Sequence, residues 1–237
     1  CGGFIVTTNP PHPSNSQCHL ISHNLREPPA DLLHKLSQHG LNPLTDNILF
    51  VVECVQMYLL ETTSQSLLIH LRQMCPRACL VLFDPIVSGG NNNQAASSRF
   101  GNMMEQNLLR LGVVTRQSSV LQTKSLNKQL EKLVQTCGWT QAVGCDMWWA
   151  YYSVVTAAQR QRAKATEVVD DVQDWRLFMK HYCLVVACAS EHGLDFCEPS
   201  RSLLGFDRNK CTVKTNKNAR QQEAQDEPAA QEKEEPD

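Results

Sequence analysis

Ile48, Leu49, Phe50, Val51 and Val52 form an unbroken apolar run. Its β-branched and aromatic content is the pattern of a strand buried on both faces of a parallel sheet. The run stops at Glu53. Ligands of open α/β sheets sit in the crevice outside the carboxyl ends of the strands, so an acid at the end of a buried strand faces a site rather than the core. Residues 78–83 and 182–189 repeat the apolar pattern, and 17–22 and 139–145 predict shorter strands. Between them the spacing changes to that of helices. Leu32, Leu33 and Leu36 follow Pro29 and Asp31 and precede Gly40. Leu67, Leu68, Leu71 and Met74 follow the N-cap candidates Thr62, Thr63 and Ser64, and Pro76 ends the pattern. Phe100, Met103, Met104, Leu108 and Leu111 run up to Gly112; Leu126, Leu130, Leu133 and Val134 run up to Gly138; a last amphipathic segment covers 172–180. Strand and helix therefore alternate from Gln17 onward, which predicts βαβ units in a parallel sheet.

The polar stretches divide the chain. Residues 1–16 are rich in turn formers and read as a loop, and 88–98 form a low-complexity loop on the ligand side of the sheet. Trp148, Trp149, Tyr151 and Tyr152 cluster on a helical segment, where packing is the first role to expect of them. Residues 164–167 read as a polar link. Beyond Ser190 large apolar groups thin out, and 191–237 end in an acidic, Pro-containing tail expected to be disordered.

Composition narrows the functional classes. The 237 residues are 42% hydrophobic with a formal net charge of -2, which fits one sizeable domain and gives no general electrostatic case for nucleic acid. No apolar run approaches the length of a bilayer span, and a protein of the cytoplasm, monomeric, is expected. Eleven cysteines are present, several inside apolar runs and none in a CxxC pair, so reduced thiols packed as small hydrophobes are expected. Cys75 with Cys79 and His19 with His23 have loosely ligand-like spacing but lack a matched second pair. The first residue is Cys1, and a truncated start is expected.

Seven short stretches, in order, resemble the leucine carboxyl methyltransferase family. They are HNLR around Asn24, VECVQMYL around Glu53, RFGNMMEQNL from Arg99, KSL from Lys124, GW at Gly138, DM at Asp146 and HYCLVVA from His181. Each is weak alone; together, over residues 17–190, they are specific. The resemblance implies an α/β fold: the C-terminal part of a class I S-adenosylmethionine-dependent, Rossmann-like methyltransferase sheet, lacking the first strands, with one antiparallel strand near the C-terminus. It implies methyl transfer from S-adenosylmethionine to the C-terminal leucine carboxylate of protein phosphatase 2A catalytic subunits. Glu53 would be a cofactor-binding residue, Asn24 and Leu25 would stand where the family's Asp-Leu pair meets the adenine, and Tyr58 would lie on the substrate side. Asn24 departs from the family's aspartate, keeping an acceptor but losing the charge. The family's Gly-rich first strand, ribose acid and basic residues have no counterpart here, so the resemblance also leaves room for an inactive phosphatase-binding module. The related tRNA wybutosine carboxyl methyltransferases carry a C-terminal propeller and a basic surface, neither of which this sequence shows.

Overall fold

The computed structural model describes residues 2–8, 17–89, 99–167 and 169–189. Part of the stretch read as a loop, within 1–16, is a strand: β1 (Gly2–Thr8) pairs antiparallel with β2 (Gln17–His23), Gly2 opposite His23. Its sequence, GGFIVTT, has β-branched residues at four of its seven positions, and the neighbouring Pro-rich turn obscured them. This hairpin is a sheet of its own. The βαβ unit expected to start at Gln17 therefore does not form, although α1 (Pro29–Gln38) follows as predicted with Leu32, Leu33 and Leu36 buried.

The main sheet has four strands. They are β3 (Ile48–Glu53), β4 (Ala78–Pro85), β5 (Gln141–Asp146) and β6 (Tyr182–Cys188), in the order β3-β4-β6-β5. β3 runs parallel to β4, while β6 is antiparallel to both β4 and β5. One reversed strand thus sits inside an otherwise parallel set, as the resemblance implied. The crossover from β3 to β4 is α2 (Glu61–Met74). Its N-cap is Leu60, without a side-chain cap, and not one of the hydroxyl residues 62–64: Ser64 is needed inside the helix, fully buried, for a polar network described below. After β4 come α3 (Arg99–Arg110), α4 (Ser119–Gln122), α5 (Leu126–Glu131) and a π turn, Lys132–Thr136. Past β5 lie α6 (Met147–Ser153), α7 (Ala157–Thr166) and α8 (Val172–Met179). The polar link expected over 164–167 is largely the end of α7, a helix with no buried residue, started by a capping box between Thr156 and Gln159.

The two faces of the sheet are covered unequally. Ile48, Leu80, Leu82, Ala142, Val185 and Ala187 join the leucines of α1, α2 and α5 in the largest core, each fully buried leucine stabilising the fold by roughly 1.5–3 kcal/mol. On the other face Cys79, Val143, Cys145, Val186 and Cys188 pack on Ala150 and Trp149 of α6. That cover does not reach the edge strand. Leu49 is 48% and Val51 66% exposed, so β3 is buried on one face and not, as its run predicts, on both. Trp148 packs on Tyr152 and on Trp175 of α8, at 4.6 and 5.4 Å between rings, so this aromatic cluster packs one helix on another. The eight described cysteines are free thiols, and six of them are buried. Most of the polar loop (90–98) and the acidic tail lie outside the described residues.

Candidate functional site at the carboxyl ends of the strands

Register gathers three acids at one end of the sheet. β3 and β4 run together to Glu53 and Phe83, while Asp84 and Asp146 both lie opposite Cys183 near the start of β6. Glu53, Asp84 and Asp146 thus mark the carboxyl ends of the three parallel strands, where α/β sheets bind ligands. The backbone leaves β3 in a strained way. Cys54 has φ 50, a left-handed conformation unusual for a non-glycine residue, and its N–H donates to the Phe83 carbonyl at 2.7 Å. A 3-10 turn, Gln56–Tyr58, follows and leads through Leu60 into α2.

This turn has a polar upper side. Glu53 is exposed and Tyr58 is 45% exposed, and neither side chain forms a hydrogen bond or ion pair among the described residues. Below it the polar groups are buried and linked. Ser64 Oγ donates to Gln56 Oε1, and Lys132 Nζ donates to Ser64 Oγ at 2.7 Å, to Ser119 Oγ at 2.8 Å and to Glu61 Oε2 at 2.9 Å. Lys132 is 5% and Gln56 1% exposed.

Asp84 sits on the same underside, 6% exposed. Its Oδ1 has no hydrogen-bond partner among the described residues, and the Cys183 thiol donates to its backbone carbonyl at 3.4 Å. Burial raises its pKa to about 8, against the smaller opposing pull of the Lys132 charge and the Met57 N–H, and so favours the neutral acid. Burial, and then the charges of Asp84 and Glu53, push the Cys54 thiol up to about 11. The Tyr182 phenol is raised by burial and by Cys54, Tyr58 and Asp84. These mutual influences place Glu53, Cys54, Tyr58, Asp84 and Tyr182 in one cluster. Tyr182 also stacks on Phe83 at 5.3 Å.

The other two residues expected at the site come from outside the main sheet. Asn24 and Leu25 come directly after β2, whose pairing with β1 ends at His23. Asn24 is exposed; its Oδ1 accepts the Arg26 N–H at 3.2 Å and its carbonyl accepts the Glu27 N–H at 2.9 Å. Leu25 is 7% exposed and belongs to the main core beside Ile21. A groove of about 380 Å³ runs along the outer side of α2, past Ile69 and His70 to Pro29, and none of the residues named above lines it. Sequence reading passed over Asp84, Lys132 and Tyr182. Asp84 carried the same signal as Glu53, an acid ending an apolar run; Lys132 is a lone cation between Leu130 and Leu133 of a buried helical face.

A mixed sheet with one reversed strand and acids at its carboxyl ends is of the methyltransferase kind. The chain belongs to the leucine carboxyl methyltransferase family. It is 31% identical over 180 residues to "Leucine carboxyl methyltransferase 1" of Bos taurus, covering 74% of this chain and 49% of that protein. To the protein of the same name from Schizosaccharomyces pombe it is 23% identical over 186 residues, 78% of this chain and 55% of the other. To "tRNA wybutosine-synthesizing protein 4" of Rattus norvegicus it is 25% identical over 173 residues, 73% of this chain and 23% of the other. The chain spans about half the length of the leucine carboxyl methyltransferases it matches. No family profile matches it. Among the described residues no helix is long and apolar enough to cross a membrane.

Proposed function

We propose that this chain carries the substrate-side part of an S-adenosylmethionine-dependent carboxyl methyltransferase acting on the C-terminal leucine carboxylate of a protein phosphatase 2A catalytic subunit. In this reading residues 17–190 are the C-terminal part of the methyltransferase domain, 191–237 are a solvated tail, and the protein works as a monomer in the cytoplasm. Family membership supports the reaction class. The observation that carries the site is the exposed pair Glu53 and Tyr58, neither hydrogen-bonded nor ion-paired among the described residues, at a strained strand end.

The residues present fit the adenosine end of the cofactor. Glu53 offers a free carboxylate for hydroxyl donors, and Asn24 keeps a lone pair beyond the one given to Arg26. Leu25, from its place in the core, would supply only an edge of apolar surface. When bound, S-adenosylmethionine supplies an electrophilic methyl group on a sulfonium. The accepting leucine carboxylate is already ionised at neutral pH, so no side chain needs to take a proton. The protein's work is then to align the carboxylate and strip water from it. Tyr58 donates its O–H to one carboxylate oxygen and leaves the other free to attack.

The test is transfer of label from methyl-labelled S-adenosylmethionine to a phosphatase catalytic subunit, using the protein with any upstream coding sequence joined. Label on the terminal leucine, lost when the tail ends in leucine carboxamide, is the expected result. Cofactor binding without transfer would leave a phosphatase-binding module instead, and label on tRNA alone would replace the substrate.

A further inference from the structure

The side chain of Tyr58 forms no hydrogen bond among the described residues, yet the chain on both sides of it is held. Before it, Gln56 Oε1 accepts from Ser64 Oγ. After it, the Leu59 carbonyl accepts the Ser119 N–H at 2.8 Å, the Glu61 N–H donates to the Gln117 carbonyl at 2.9 Å, and Leu60 forms a β-bridge with Ser118. One buried cation joins the two sides. Lys132 Nζ donates to Ser64 Oγ at 2.7 Å, to Ser119 Oγ at 2.8 Å and to Glu61 Oε2 at 2.9 Å, which uses each proton of the ammonium once. An ammonium accepts nothing, so Ser64 Oγ is the acceptor toward Lys132 and its single proton is left for Gln56. Lys132 therefore sets the direction of this relay. We propose that Lys132 is a positioning residue of the crevice: by tying Gln56 through Ser64, and α4 and the start of α2 directly, it fixes where Tyr58 stands at the end of β3. The proposal deepens the reading of Tyr58 as a substrate-side group and rests on it.

Two further observations go with this assignment. Among the described residues Lys132 is the one lysine or arginine that is buried. Apolar side chains of similar volume commonly serve stability as well as a buried ion pair or better, so stability alone does not account for an ammonium here, whereas the fixing of one geometry does. Lys132 also opens a π turn. The Cys137 N–H reaches back to the Lys132 carbonyl at 2.8 Å, and this widening of the helix falls at the residue that carries the contacts. Single π turns of this kind are frequent at functional sites.

Fluorine NMR on the full chain with a trifluoromethyl-phenylalanine at position 58 tests this without cofactor, substrate or methyl transfer, so its failure is separable from failure of the labelling assay. A merely structural Lys132 would lower stability and leave the folded resonance where it was. Ser64→Ala is the sharper variant, since it cuts the relay to Gln56 and leaves Lys132 paired with Glu61 and Ser119. Under conditions where circular dichroism shows a folded protein, Ser64→Ala and Lys132→Met should both move the resonance toward the unfolded position. Leu36→Ala, a cavity in the main core at α1, should not. Should Lys132→Met not fold, Ser64→Ala and Ser119→Ala decide. A resonance unmoved by Ser64→Ala, or moved as far by Leu36→Ala, would overturn the assignment. A further readout is coupling. Displacing Tyr58 loses its hydrogen bond to a carboxylate, so Ser64→Ala should weaken binding of a peptide ending in free leucine by about tenfold, and by much less in a Tyr58→Phe background, where that bond is already gone. Equal losses in both backgrounds would overturn action through Tyr58. Should no such peptide bind, the reading of Tyr58 fails, while the resonance still decides whether Lys132 holds the turn.

Discussion

The upper and lower sides of the Gln56–Tyr58 turn are built from the same short stretch of chain and have opposite chemistry. Above, Glu53 and Tyr58 are exposed, and neither side chain forms a hydrogen bond or ion pair among the described residues. Below, Gln56, Ser64, Ser119 and Lys132 are buried and joined hydrogen bond to hydrogen bond, with Asp84 neutral beside them. A polar group in water is free to serve a ligand at little cost to the fold, whereas a buried one must be satisfied or must stay uncharged. The difference teaches that the groups able to touch a ligand and the groups that fix them in place are separate sets here. The first set should change binding and spare stability; the second should change stability first.

The largest effect tests the lower side. Lys132→Met fills much of the same volume but strands Glu61 and two buried hydroxyls, and breaking a buried ion pair by removing one partner costs about 3–5 kcal/mol. Urea unfolding measures it. A loss below about 1 kcal/mol, the size found for exposed pairs, would break the comparison, because Lys132 would then be behaving like a surface charge.

Asp84 comes next, and its effect has the opposite sign. Its folded pKa of about 8 lies above the ordinary 3.8, so between those values the unfolded chain has ionised while the native protein has not. Native stability is therefore highest below the ordinary value, falls as pH rises from about 4 to about 8, and is level beyond. Asp84→Asn removes that slope and should raise stability at pH 7 by about 2–4 kcal/mol. Unfolding at pH 5, 7 and 9 checks it: curves for the two proteins that stay parallel across this range would mean that the acid is not held neutral.

What could be read from the sequence follows the same division. Long apolar runs and helical spacing made β3, β4, β6 and the buried helices legible, because each signal is local and matches one period. β1 was hidden because pairing with β2, a non-local event, is what makes a strand of a turn-rich neighbourhood. α7 was hidden because it has no apolar face to repeat. The exposure of Leu49 and Val51 depends on which elements cover β3, and nothing in the run itself encodes that. At the site, motif order pointed to Glu53 and Tyr58, the unpartnered upper residues. Lys132 gave only the faint signal of a charge on a buried helical face, and its meaning needed Glu61, 71 positions away, to be brought beside it.

The smallest change in stability belongs to Glu53→Ala. An exposed carboxylate without partners contributes within about ±0.5 kcal/mol to the fold, so the unfolding midpoint should stay where it is. Cofactor affinity should fall about tenfold or more, since a hydrogen bond to a charged group is worth about 1.5–3 kcal/mol. Calorimetric titration of S-adenosylmethionine into wild type and variant at one pH measures the fall. The two numbers are informative only together. Lost affinity at unchanged stability is what an upper-side residue must show, and it would place a ligand at the end of β3. Unchanged affinity would remove Glu53 from the site, whereas lost stability would join it to the buried network below. In that last case the turn would have one side rather than two, and the crevice would have to be sought beyond it, toward Asp146 and the start of β6.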